Sequence, residues 1–191
     1  SIARSHYGWH EDKFVVGKRE YAPNVVPAYS PPSRATAHTV DAFDPVGDLA
    51  DWIKMADQYA VPGNEAKAFV LFLSMGAPLH KFTNVGSCLI HLTNRSSGVG
   101  KTTAQKVGAS FWGDYKELML LKTDTENARY HQMGVMRNLP IWIDEITNME
   151  PEDLSELAYR ISQNRGKHRQ YSHSNVLRAN HTKWETLVIS S

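Results

Sequence analysis

The chain has 191 residues, 41% hydrophobic and 21% charged, which fits one globular core with room for a small appendage. Its formal net charge is +1, so the overall balance selects no polyanionic partner, and any affinity for nucleic acid has to come from local clusters. The one cysteine, Cys88, excludes an internal disulfide and a cysteine-based zinc site, and no apolar run approaches the ~20 residues needed to span a bilayer.

Residues 1–46 are rich in proline, aromatic and turn residues, and Lys13–Val16, Gly17-Lys18 and Arg19–Tyr21 read as a hairpin. The prolines from Pro23 to Pro32 predict an extended or looped stretch. His6 and His10 are given no ligand role, because Gly8 between them argues against a shared helix face. Residues 47–85 read as helical: Asp48 is a capping residue before Leu49, Trp52, Ile53 and Met55, and a second helix is expected from Asn64. From residue 86 to 191 strands alternate with helices, which predicts a parallel sheet. The expected strands are 87–92, 118–121, 140–143 and 184–189, and the expected helices are 101–112, 125–136 and 152–163. Cys88, between Ser87 and Leu89-Ile90, reads as a small buried apolar residue, in keeping with a reducing interior. The chain starts without Met and stops in an apolar run, so it is expected to be part of a larger protein, with the sheet ending after its fourth strand.

The chemistry concentrates in two places. Arg95-Ser-Ser-Gly98-Val99-Gly100-Lys101-Thr102-Thr103 lies between an expected strand and an expected helix, the context of a phosphate-binding loop. Glycines let backbone N–H groups close on an anion, and the helix start adds a positive potential. Ser97, Gly98, Val99, Gly100, Lys101, Thr102 and Thr103 are the candidate nucleotide-binding residues, with Lys101 for phosphate and the Thr102 hydroxyl for Mg²⁺. Arg95 stands where the G-x-x-x-x-G-K-[ST] pattern has its first glycine. The second place is Ile141-Trp142-Ile143 followed by Asp144 and Glu145, carboxylates at the carboxyl end of a strand, where open parallel sheets bind ligands. Asp144 suits the metal and Glu145 the positioning of water, so the expected cofactors are ATP and Mg²⁺ and the expected fold is a P-loop NTPase, a three-layer α/β/α with a parallel sheet.

Between Arg160 and Lys183 there are basic residues but no acidic ones, interleaved with His168, Tyr171 and His173. Arg165, Lys167, His168, Arg169 and Arg178 are candidates for contacting DNA phosphates, or for an arginine reaching a neighbour's γ-phosphate.

Gly8-Trp9-His10, Phe14–Gly17, Pro45–Leu49 with Trp52, Ser96–Thr103, Ile143–Ile146 and Gly166-Lys167-x-Arg169 together resemble the helicase-like family catalogued as domain of unknown function 927, from phages, plasmids and mobile elements. That family is similar to superfamily-three helicases and other AAA+ ATPases. The resemblance implies an ATP-hydrolysing helicase or translocase working as a homo-oligomeric ring, a hexamer, on single-stranded DNA in the bacterial cytoplasm, with no membrane partner. It implies Lys101 and Thr102 for phosphate and Mg²⁺, Asp144 for the metal and Glu145 for water. It also implies a DNA-contacting hairpin at 166–180 and a polar sensor at Ser190, Ser191 or beyond. Two other functions stay open: a loader or remodelling ATPase acting on protein, and a nucleotide-binding regulatory module without turnover.

Overall fold

The computed structural model describes residues 2–96, 98–121, 123–146, 149–165 and 182–191. Strands β1 (Gly8–His10), β2 (Lys13–Val16), β3 (Arg19–Tyr21) and β4 (Ala28–Tyr29) form an antiparallel sheet in chain order. The expected hairpin is its β2–β3 centre. Gly17 makes that turn at φ +55°, packed so closely that an added Cβ would lie 2.8 Å from Cβ of Phe43. The sequence reading missed both outer strands: β1 is entered through Gly8 at φ +83°, and β4 holds two residues inside the proline-rich stretch. Tyr7 N–H donates to Val135 O at 2.8 Å and Trp9 N–H to Asn138 Oδ1 at 3.0 Å, so this sheet is fastened to the rest of the molecule through backbone groups.

Helix α1 (Leu49–Asp57) is capped by Asp48, whose carboxylate accepts from Ala50 N–H at 2.7 Å. Its apolar stripe is not buried as the periodicity suggests: Leu49 is 72% and Ile53 46% exposed, and the helix docks instead through Trp52, whose Nε1 donates to Ser110 Oγ at 2.9 Å. Helix α2 (Glu65–Gly76) begins after Asn64, as expected.

The second sheet contains β5 (Cys88–His91), β6 (Met119–Leu121), β7 (Ile141–Asp144) and β8 (Leu187–Ser190), all parallel, in the order β5-β8-β7-β6. Helix α3 (Lys101–Ser110) follows β5 and stops short of the expected Trp112; a four-residue helix α4 (Tyr115–Leu118) precedes β6. Helix α5 (Glu126–Met136) is capped by Thr125 Oγ1 accepting from Ala128 N–H, and helix α6 (Pro151–Ser162) has its proline in the first turn. The connection from β5 to β6 runs one way along the sheet, and those from β6 to β7 and β7 to β8 run back. Right-handed crossovers therefore set α3 on one face and α5 and α6 on the other. The two tryptophans of the core mark those faces. Trp142 Nε1 donates to Ser74 Oγ of α2 at 3.2 Å, whereas Trp184 stacks on Tyr130 of α5 and donates to Ile161 O of α6 at 3.1 Å. One cluster of buried side chains joins Tyr7, Val15, Phe43 and Val70 to Ile141, Trp142, Ile143, Val188 and Ile189. Cys88 is only half-buried, and its Sγ–H donates to Gly86 O at 3.3 Å, because the β5 strand lies at the sheet edge. Among the described residues no helix is long and apolar enough to cross a membrane.

Candidate functional site

Because β8 lies between β5 and β7, the carboxyl ends of these three strands are neighbours, and the loop after β5, Asp144 at the end of β7 with Glu145 after it, and Ser191 after β8 open on one edge of the sheet. Such an edge is where open parallel sheets place ligands. Gly98 and Gly100 have φ +74° and +89°, values that side-chain-bearing residues rarely adopt, and Gly100 occupies the N-cap of α3. With no side-chain cap at that end, the first N–H groups of α3 face outward, a ready site for an anion. Where the loop pattern has its first glycine, this chain turns differently. Asn94 Oδ1 accepts from Ser96 N–H at 2.8 Å, an Asx turn that bends the chain around Arg95 without requiring glycine there.

The predicted residues converge on one oxygen. Asp144 Oδ1 accepts from Thr102 Oγ1 at 3.2 Å and from Glu145 N–H at 3.1 Å, and Ser191 Oγ lies 3.0 Å away. Lys101 and Thr102 are half-buried, while Gly98, Val99, Thr103 and Glu145 are exposed at the opening. Glu145 has φ +58°, so its backbone is held in the left-handed region directly after the strand. Among the described residues no set of three or more His, Cys, Asp or Glu side chains is placed to hold a metal. A cation here would rest on the Thr102 hydroxyl and the Asp144 carboxylate alone, the sparse protein coordination that Mg²⁺ accepts beside phosphate oxygens.

Sequence reasoning missed Gln105, which is fully buried on α3. Its Nε2 donates to Ile189 O at 3.0 Å and Ile143 O at 3.3 Å, while its Oε1 is 2.9 Å from Ser191 Oγ. One amide thus locks the helix that begins at the glycine loop to the ends of β7 and β8. The signal was a polar residue one turn beyond Thr102 on the inner face of α3. Of the two serines expected to act as sensor, Ser191 reaches Asp144; Ser190 bonds His91 Nδ1 at 3.0 Å instead. The single Ser191 proton serves Gln105 or Asp144, one at a time.

Of the basic candidates, Arg165 is exposed and bridges Lys183 in antiparallel register. Lys167, His168, Arg169 and Arg178 lie outside the described residues, as does Ser97 of the loop.

The family model described as "Domain of unknown function (DUF927)" matches residues 1–182. The chain belongs to this family. The DUF927 chain also shares its fold with a solved structure described as "SCCmec type IV Cch - active helicase", at 21% identity and a TM-score of 0.70. That similarity covers 97% of this chain and 35% of the helicase chain. No curated protein matches the sequence.

Proposed function

We propose that this DUF927 chain is the nucleotide-binding core of a P-loop ATPase, and that it drives a helicase or translocase on DNA. One observation carries the reading: the Thr102 hydroxyl meets Asp144 at 3.2 Å beside a glycine loop whose N–H groups face outward at the start of α3. The donor set fits Mg-ATP. Glycines leave room for phosphate oxygens, Lys101 supplies the cation for the β and γ phosphates, and Thr102 with Asp144 supplies two hard oxygens for Mg²⁺. A metal held by Thr102 and Asp144 would supply charge neutralisation for the phosphoryl group.

The residues divide the remaining work. Gln105 fixes α3 against β7 and β8, so the loop and the Asp144 carboxylate keep one relative geometry. Glu145, exposed beside Asp144 on a left-handed backbone, is placed to orient a water molecule and accept its proton. Ser191, balanced between Gln105 and Asp144, is placed to register the state of the site at the end of β8.

DNA as the partner rests on two supports: the fold shared with a protein described as an active helicase, and the acid-free run from Arg160 to Lys183. A ring of like subunits, a hexamer, is the assembly that goes with this reading. The first test is Lys101→Ala in the full-length protein. ATP affinity or turnover is expected to fall tenfold or more, on the order of 1.4 kcal/mol. Binding and hydrolysis at the unsubstituted level would remove the assignment of the loop.

A further inference from the structure

Helix α2, from the segment that precedes the parallel sheet, lies alongside α3, and two close approaches fix its register. An added Cβ on Gly108 would lie 2.3 Å from Ser74 Oγ, and one on Gly100 would lie 3.7 Å from Lys67 Cε. Ser74 is fully buried and donates to Val70 O at 3.0 Å, so Lys67, Val70 and Ser74 follow one face of α2 at helical spacing. Lys67 precedes Ser74 by about the same rise that separates Gly100 from Gly108, roughly two turns, so the two helices run parallel. The packing that seats Ser74 against Gly108 therefore carries Lys67 to the glycine loop at the head of α3.

Nothing on α2 neutralises that lysine. Glu65, the acid in the same turn, accepts from Gly63 N–H at 3.0 Å, and Lys67 forms no ion pair among the described residues. Lys101 is the first residue of the helix at the same loop, so two lysines stand at the uncapped start of α3. Like charges gathered around one loop repel unless a polyanion lies between them.

We propose that Lys67 is a second phosphate-contacting cation of the nucleotide site, delivered by the helical segment ahead of the sheet. The proposal rests on the reading of the 98–102 loop as a nucleotide site. It assigns α2 a part in ligand binding as well as in packing. It also implies that the polyphosphate, rather than the base, is the portion of the nucleotide that Lys67 recognises.

The test uses the full-length protein with Mg-ATP and Mg-ADP as the titrated probes, and three variants. Lys67→Met keeps the apolar stem against Gly100 and removes the charge; Lys67→Arg keeps the charge; Lys101→Ala reports on the loop itself. The expected result is a loss of ATP affinity on the order of tenfold in Lys67→Met, with an unchanged melting temperature, and affinity within a few-fold of the original in Lys67→Arg. ADP should lose affinity in the same direction, with a smaller factor. If Lys67→Met binds ATP normally while Lys101→Ala does not, the Lys67 proposal is overturned and the loop assignment stands. If both variants bind normally, the loop assignment fails and the proposal with it. Equal weakening by Met and Arg, with lowered melting in both, would make Lys67 a packing residue and also overturn the proposal.

Discussion

At Asp144 a hydroxyl and a backbone N–H donate to one carboxylate oxygen, with the Ser191 hydroxyl at hydrogen-bond distance, so that the side chain is held in one orientation at the end of its strand. Its neighbour is treated differently. Glu145 keeps its side chain in solvent, while its backbone sits at φ +58°, where a residue with a Cβ is rarely found. Two adjacent carboxylates are thereby given unlike surroundings, one fixed and hydrogen-bonded, the other free to face a ligand. That difference predicts unlike mutants. Glu145→Gln preserves size and hydrogen-bonding capacity but loses the base, so Mg-ATP should still bind while turnover falls at least ~100-fold. Equilibrium titration with Mg-ATP alongside steady-state phosphate release measures both. Parallel losses of binding and turnover would instead make Glu145 part of the metal or loop framework.

Helices α2 and α3 approach closely because Gly108 has no side chain: a Cβ there would overlap Ser74 Oγ at 2.3 Å and come within 3.6 Å of Trp142 Nε1. Alanine favours a helix over glycine by about 1 kcal/mol, but overpacking a fixed core costs about 1–3 kcal/mol. Ser74 has little freedom to yield, since its hydroxyl donates to Val70 O and accepts from Trp142 Nε1. Gly108→Ala is therefore expected to destabilise the fold by about 1–2 kcal/mol in urea unfolding. Adding Ser74→Gly should recover part of that loss, a coupling that a double-mutant cycle reads directly. A Gly108→Ala protein as stable as the original would show that the two helices are not packed as described. This pair also shows what the sequence could and could not reveal. The β5, β6 and β7 strands were legible because each is a compact apolar run closed by turn residues, and the glycine loop because its spacing is local. Lys67 and Gln105 were not legible as site residues. Each acquires its role only when a helix face meets a distant element: Gly100 for Lys67, the carbonyls of Ile143 and Ile189 for Gln105. The short β1 and β4 strands escaped notice for the opposite reason, because two or three residues beside glycine or proline carry no period to read.

Across the whole molecule, one edge gathers the glycine loop, Asp144, Glu145 and Ser191, with Lys67 brought in from the preceding segment. Helix α6 runs from its N-cap Glu150 to Ser162; beyond it Arg165 bridges Lys183, and the rest of the basic run lies between those two residues in the sequence. The proposed translocase would need its nucleotide site coupled to a charged segment, and in sequence the basic run follows α6 and precedes β8. If Lys167 and Arg169 contact phosphates of single-stranded DNA, each lost contact should lower the slope of log affinity against log salt by roughly 0.7. Lys167→Ala with Arg169→Ala in the full-length protein should then flatten that slope and reduce the stimulation of ATPase activity by DNA, while basal hydrolysis survives. An arginine serving a neighbouring subunit's nucleotide gives the reverse pattern, with basal turnover collapsing and the salt slope unchanged. The two mechanisms separate because phosphate contacts with DNA act through counterion release, whereas an arginine at the γ-phosphate acts on the transition state with no DNA present. A double variant that alters neither measurement would leave the run as a solvated surface and would remove DNA, though not ATP, from the proposed function.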